Sequence, residues 1–210
     1  MDPWPLRHLV LRTPRLELRP DDDAGLLELA GLAGQGIHPP AEMPFIVPFT
    51  DRAPGELERG VAQYNWRQRA ELSPAKWTIG FLVRHQGRVI GNQSLSAEEF
   101  AITREVRTGS WLGMAHQGKG FGTEMRAAVL AFAFDHLGAV QARSEAFADN
   151  HASLGVSRRL GYRDNGSKLV ARRGQVATEM GLRLPAAEFV RPDWTLDVEG
   201  LDACRELLGV

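Results

Sequence analysis

The chain has one cysteine, Cys204, in 210 residues. An internal disulfide and a cysteine-rich metal site are therefore excluded, and a reducing compartment, the cytoplasm, is expected. Long apolar runs are missing too. No stretch approaches 18 consecutive apolar residues, and the opening MDPWPLRHLVLRTPRLEL lacks the form of a signal peptide. No membrane partner is expected. Charge of one sign is also lacking: 25 Lys and Arg stand against 26 Asp and Glu, for a net charge of −1. Nothing global therefore points to nucleic acid. Repeats, low-complexity tracts and linkers are absent. What is present, 43% hydrophobic and 24% charged residues, is ordinary for a soluble protein able to bury a core. Residues 1–210 read as a single domain.

Arg15 to Pro20, RLELRP, alternates apolar and polar residues and predicts a first strand. Asp21, Asp22 and Asp23 then offer N-cap and first-turn carboxylates to a helix through AGLLELAGLA. Ile37 to Pro54 holds five prolines beside Met43, Phe45, Ile46, Val47 and Phe49. It is a loop with a sticky surface, either packed over the core or walling a pocket, with Phe45 and Phe49 as candidate substrate contacts. Gly55 to Leu72 predicts a helix with Leu57, Val61 and Tyr64 inward. Three strand candidates follow in KWTIGFLVRH, GRVIGNQSL and REVRTGSWLGM. A helix is expected from Phe121 to Leu137, then a strand in VQARSEAF, and a helix after Asn150 ending at Gly161. Two last strands lie near Tyr162–Ala171 and Gln175–Leu184. The tail, about 188–210, suggests a strand and a short helix, and its apolar residues from Trp194 to Leu208 offer a surface for a homo-oligomer. The sum is an α/β chain in layers, a mixed and mostly antiparallel sheet of about seven strands with one β–α–β crossover.

The segment WLGMAHQGKGFGTEM, Trp111 to Met125, is built for an anion. Gly113 to Gly120 fits a P-loop up to its last position, where Gly120 replaces the hydroxyl that should reach Mg²⁺. The dinucleotide fingerprint fails as well, because Thr123 stands where its third glycine belongs. Q-x-x-G-x-G fits, with Gln117, Gly120 and Gly122 between a strand and an amphipathic helix. Glycines let successive N–H groups converge, and the helix behind them adds its positive end. A pyrophosphate can be held so without a metal.

That segment resembles the coenzyme A motif of the GCN5-related N-acetyltransferase (GNAT) superfamily. LRTPRLELRP resembles the first strand of its RimJ/RimL branch, and FADNHASLGVSRRLGYRDNG resembles the branch's second motif. GSWLG, QGKGFGTEMRAAVLAFAF and MPFIVPFT are similar to an actinobacterial group described as candidate succinyltransferases. The resemblance covers about residues 11–184. It implies the acyl-CoA N-acyltransferase fold and direct transfer of an acyl group to a primary amine. The donor would be acetyl-CoA by default and succinyl-CoA in the specific alternative. The acceptor would be a protein N-terminus, a lysine or a small molecule. An idle acyl-CoA-binding module is the competing reading.

The same resemblance implies roles by position. Leu112 and Met114 would pair with the pantetheine arm through their backbone. Gln117, Gly118, Lys119, Gly120, Phe121, Gly122 and Thr123 would hold the pyrophosphate, with Asn150 and Arg158 approaching from the next crossover. Asn150 is also a natural N-cap, and Arg158 a natural partner for a helix C-terminus. Ser153 matches the serine placed near the thiolate. A neutral amine nucleophile needs a base. Many members of the branch carry a glutamate at the place of Arg107. Here the carboxylate sits at Glu105, which is the candidate base beside Glu98, Glu99 and Glu145. Arg107 would instead meet a carboxylate on the acyl chain or the acceptor.

Overall fold

The computed structural model describes residues 2–20 and 22–210. Period-two burial dominates its centre. In β3 (Lys76–His85), Trp77, Ile79, Phe81 and Val83 are buried on one face, and β4 (Arg88–Glu98) returns antiparallel beside it. The other strands are β1 (Val10–Arg12), β2 (Glu17–Pro20), β5 (Glu105–Leu112) and β6 (Gln141–Phe147). Beyond them come β7 (Arg163–Arg172), β8 (Gln175–Pro185) and β9 (Asp197–Glu199). They form one sheet in the order β7-β8-β6-β5-β4-β3-β2-β1-β9. The described residues hold nine strands where about seven were expected. β1, three residues long, is too short for alternation to announce it, and β9, equally short, is the strand expected in the tail.

Helices α1 (Asp23–Gly34) and α2 (Glu56–Ala70) cover one face of the sheet, burying Leu26, Leu29, Ala33, Leu57 and Val61 over Leu82 and Val89. Asp22 caps α1, its carboxylate accepting from the Gly25 N–H at 2.6 Å; Asp21 lies outside the described residues. In α2 the buried stripe advances by fours through Leu57, Val61 and Asn65, which leaves Tyr64 exposed rather than inward. A four-residue helix, α3 (Phe100–Thr103), links β4 to β5. On the opposite face, α4 (Phe121–Ala131) runs on into a π-helical turn at Phe132–His136, and α5 (His151–Arg159) lies beside it.

The tail does not wait for a neighbour. β9 pairs with β1, Leu201, Cys204 and Leu208 are buried in the main core, and Trp77 Nε1 donates to the Leu208 carbonyl at 3.0 Å. Among the described residues no helix is long and apolar enough to cross a membrane.

Candidate functional site

Among the described residues β5 and β6 are the one parallel pair, and they part early. They are in register only at Glu105↔Gln141, Val106↔Ala142 and Arg107↔Arg143. From Thr108 onward β5 stays paired with β4 alone, while β6 stays with β8. The gap opens toward the glycine segment and forms a cleft of about 680 Å³. The Gly113 N–H goes to the Ile90 carbonyl, so alternation turns the N–H groups of Ser110 and Leu112 into the gap. Met114 is not available in the same way. Its N–H donates to the Gly36 carbonyl and its own carbonyl accepts from the Gln117 N–H, within a 3₁₀ turn.

At the open end of the cleft, Gly118 and Gly120 take φ of 72° and 83°, and Gly120 is the N-cap of α4. The N–H groups of Gly120, Phe121 and Gly122 have no backbone partner among the described residues, whereas Thr123 and Glu124 already donate to the Gly120 carbonyl. Three converging N–H groups at a helix N-terminus are a fitted seat for a phosphate. Gly118, Gly120, Gly122 and Thr123 line the cleft. Three members of the segment serve otherwise. Gln117 Nε2 ties the loop down, donating to the carbonyls of Ile37 at 2.7 Å and Leu112 at 2.9 Å. Lys119 Nζ folds back on the Ala115 carbonyl at 2.7 Å, away from the seat. The Phe121 ring is buried beneath Arg15 and His85, leaving only its N–H to the site.

Two residues to which the motifs assign no role hold this loop. Glu124, 7% exposed in the first turn of α4, accepts from Thr13 Oγ1 and from the N–H and Nε of Arg15. Arg15 Nη1 reaches on to the Lys119 carbonyl at 3.1 Å.

The far wall comes from α5. Asn150 is its N-cap, Oδ1 accepting from the Ser153 N–H at 3.0 Å, and both residues border the cleft. Arg158 is exposed and does not line it; the residue that does is Arg159. On the floor, Arg126 of α4 is 4% exposed and donates to Ser157 Oγ at 2.8 Å and Ser110 Oγ at 3.1 Å. Burial pushes its guanidinium below the ordinary value. Beneath, Thr108 Oγ1 and the Tyr162 hydroxyl lie 3.1 Å apart, and burial pushes that phenol up.

The roof is the proline-rich loop. Phe45 faces the cleft and Phe49 stands behind it, ring centroids 4.8 Å apart. The loop is clamped to the β7–β8 hairpin. Arg173 Nε donates to Asp51 Oδ2 at 2.8 Å and Nη1 to the Pro40 carbonyl at 3.0 Å. Arg172 binds Asp149 at 2.7 and 2.9 Å while its guanidinium covers the Phe147 ring. Both carboxyls are held below the usual range by these arginine hydrogen bonds.

Carboxylates are placed otherwise than the sequence suggests. Glu105 sits where β5 and β6 are still paired, bound to Gln141 Nε2 at 2.6 Å and Arg143 Nε at 2.8 Å, and it does not line the cleft. Glu98 pairs with Lys76, and Glu99 is exposed beyond the end of β4. Glu145 does border the cleft, and so does Glu179 of β8, which sequence reasoning did not single out. Glu179 is 3% exposed and 2.7 Å from Lys168 Nζ. Lying on a strand outside every quoted motif, it has no local pattern to mark it. Both glutamates also line an adjoining cavity of about 280 Å³, and Arg107 belongs to that one rather than to the main cleft.

Among solved structures the chain is similar to RimJ of Mycobacterium smegmatis in complex with a coenzyme A disulfide. The two are 17% identical, with 89% of this chain and 91% of that one covered, at a TM-score of 0.66. RimL, a ribosomal L7/L12 α-N-protein acetyltransferase in complex with coenzyme A, is 20% identical over 82% and 95% of the chains, with a TM-score of 0.62. A spermidine N-acetyltransferase, a SpeG chimera from Vibrio cholerae and hSSAT, is 19% identical over 85% and 99%, with a TM-score of 0.64. At such identities these structures establish the fold. The family rests on sequence: the model of the acetyltransferase (GNAT) domain matches residues 15–163. With the split sheet and the glycine cradle, that match places the chain in the GNAT acetyltransferase family.

Proposed function

We propose that the protein is an acyl-CoA-dependent N-acyltransferase that moves an acyl group directly to a primary amine. The observation that carries this is the opening of β5 from β6 beside three unpartnered N–H groups at the start of α4. A pyrophosphate fits the N–H groups of Gly120, Phe121 and Gly122. A pantetheine arm, itself an extended chain of amides, fits against Ser110 and Leu112 as a strand would. Acetyl-CoA is the default donor of the family, and succinyl-CoA the specific alternative. The acceptor is a protein N-terminus, a lysine or a small-molecule amine, entering beneath Phe45 from the side opposite α4.

In this reading the thioester carbonyl lies where an N–H of β5 faces the gap and can receive the developing oxyanion. The attacking amine must shed a proton, and Glu179 or Glu145 accepts it directly or through a water. Ser153, near the start of α5, donates to the departing thiolate, helped by that helix's positive end. Asn150 acts as a cap that fixes Ser153.

The reading is tested by titrating coenzyme A calorimetrically and by following thiol release from acetyl-CoA with spermidine, a lysine peptide and N-terminal peptides. Binding with amine-dependent thiol release is the expected result. Binding without turnover across the panel favours the idle acyl-CoA-binding module. Absence of binding overturns both.

A further inference from the structure

The register of the outer strands lines up four arginines. Arg107 of β5 stands opposite Arg143 of β6, Arg143 opposite Arg183 of β8, and Arg183 opposite Arg163 of β7. Directly opposed residues project to the same face of a sheet, so these form one row, about 14 Å long at about 4.8 Å per strand. The register runs on through Ser96 of β4 to Thr78 of β3, which makes this the face that α1 and α2 cover over Leu82. Beyond that cover all four arginines are exposed.

Like charges directly opposite one another destabilise a sheet, and exposed side chains are not needed for its packing. Arg143 Nε has Glu105 at 2.8 Å, and Arg163 Nε has Glu188 at 2.8 Å. The side chains of Arg107 and Arg183 have neither an ion pair nor a hydrogen bond among the described residues. Glu98 feels the charge of Arg107, but its ion pair is with Lys76.

Toward the cleft the sign changes. Glu145 lies two residues beyond Arg143 on the same face of β6, about 7 Å on, and Glu179 stands opposite Phe147, as far again. Both border the main cleft and the adjoining cavity of about 280 Å³, which Arg107 and Arg143 also line. Lys168 Nζ is 2.7 Å from Glu179 and 3.8 Å from Glu145, so this pair of carboxylates already takes an ammonium group. A ligand that matches this order has an amine in front and several negative charges behind it. One carboxylate would occupy a fraction of the row, whereas a run of acidic side chains spans it.

We propose that the arginine row is a docking surface for an acidic polypeptide, the acceptor, whose amino group enters at Glu145 and Glu179. Carboxylates about two to four residues behind that amine lie on Arg107, Arg143 and Arg183. The inference rests on the acyltransferase reading above and names its acceptor class. Guanidinium forks take carboxylates through paired hydrogen bonds, which gives the row direction as well as charge.

The test uses two short labelled peptides, alike except that one carries a run of glutamates behind its free N-terminus and the other glutamines. Fluorescence anisotropy reads their binding, and thiol release from acetyl-CoA reads their KM. The glutamate peptide should bind about threefold to tenfold more tightly and show a KM lower by as much, the scale of a few exposed ion pairs. The gain should shrink in about 0.5 M salt. Arg107→Gln combined with Arg183→Gln should lose most of it while coenzyme A affinity stays. Equal binding of the two peptides by wild type overturns the proposal, as does a gain that ignores salt or survives in the double variant. A single-stranded RNA that displaces the glutamate peptide as well as its own unlabelled form does also overturns it, reassigning the row to nucleic acid. If the double variant does not fold, Arg183→Gln alone decides. If no donor turns over, anisotropy decides. Failure to bind coenzyme A overturns the acyltransferase reading, whereas the peptide comparison on the free chain still judges the row, which separates the two failures.

Discussion

Arg15 and Glu124 meet across 109 residues of chain, with Arg15 Nε 2.6 Å from Glu124 Oε2. The carboxylate lies in the first turn of α4, where a negative charge is favoured, and it also gathers Thr13 Oγ1 and the Arg15 N–H. Arg15 passes the restraint on to the Lys119 carbonyl. The glycine loop is thus pinned from the turn between β1 and β2. Glu124→Ala should weaken coenzyme A binding about tenfold and cost about 2 kcal/mol of stability, the scale of hydrogen bonds to a charged group. Calorimetric titration and urea unfolding read the two effects separately.

Gly122 distinguishes a structural glycine from one that leaves room for a ligand. A Cβ there would stand 3.7 Å from Val156 Cγ2 and 3.9 Å from Leu112 Cδ1, ordinary contacts. The fold therefore accepts a Cβ at this place. Gly122→Val should keep stability within about 1 kcal/mol and reduce coenzyme A affinity by at least about tenfold. Retained affinity would remove the pyrophosphate from this seat.

The glycine cradle, the helix that follows it and the Asn150 cap were legible because each depends on neighbours in sequence. Gln117 was found by its motif, but its side chain serves as a tie to Ile37 and Leu112, which a pattern cannot tell from a ligand contact. Glu105 and Glu179 show the opposite limit. Alternation puts Glu105 on a face of β5 but does not say where along the strand the cleft begins. Glu179 reaches the cleft because β8, far along the chain, pairs with β6. Arg126 carries no warning either. It stands on the apolar helix behind the glycines, and only packing reveals that it is buried without a carboxylate partner among the described residues.

For the proton acceptor, Glu179→Gln keeps the shape of the side chain and removes its basicity. It should lower kcat about a hundredfold and leave acyl-CoA affinity unchanged. Glu145→Gln, made alongside, should have the smaller effect, because its carboxylate is half exposed where Glu179 is 3% exposed. The reverse order would move the base to Glu145.

The roof should open in acid. Asp51 and Asp149 have carboxyls held below their ordinary range by Arg173 and Arg172. A depressed folded value means that the clamp is intact above the unfolded carboxylate value near pH 4 and is lost as pH falls through the lowered one. Arg173→Ala should imitate the acid state at neutral pH, raising the acceptor KM several-fold while coenzyme A affinity stays. Amide exchange across residues 37–54 should quicken in that variant. Wild type should match it only once the pH drops below about 4.

Three residue pairs join β5 to β6, and beyond them only the hydrogen bond from Ser144 Oγ to the Thr108 carbonyl links the two strands among the described residues. The sheet is therefore two panels, β1–β5 with β9 and β6–β8, that share one short seam. A panel boundary of this kind is a hinge line. Whatever lies in the gap acts as a spline between the panels, and its fit sets how far they stand apart. The angle at which an amine meets the thioester then belongs to both panels together, so a substitution far out on either one can change the reaction without touching the cleft.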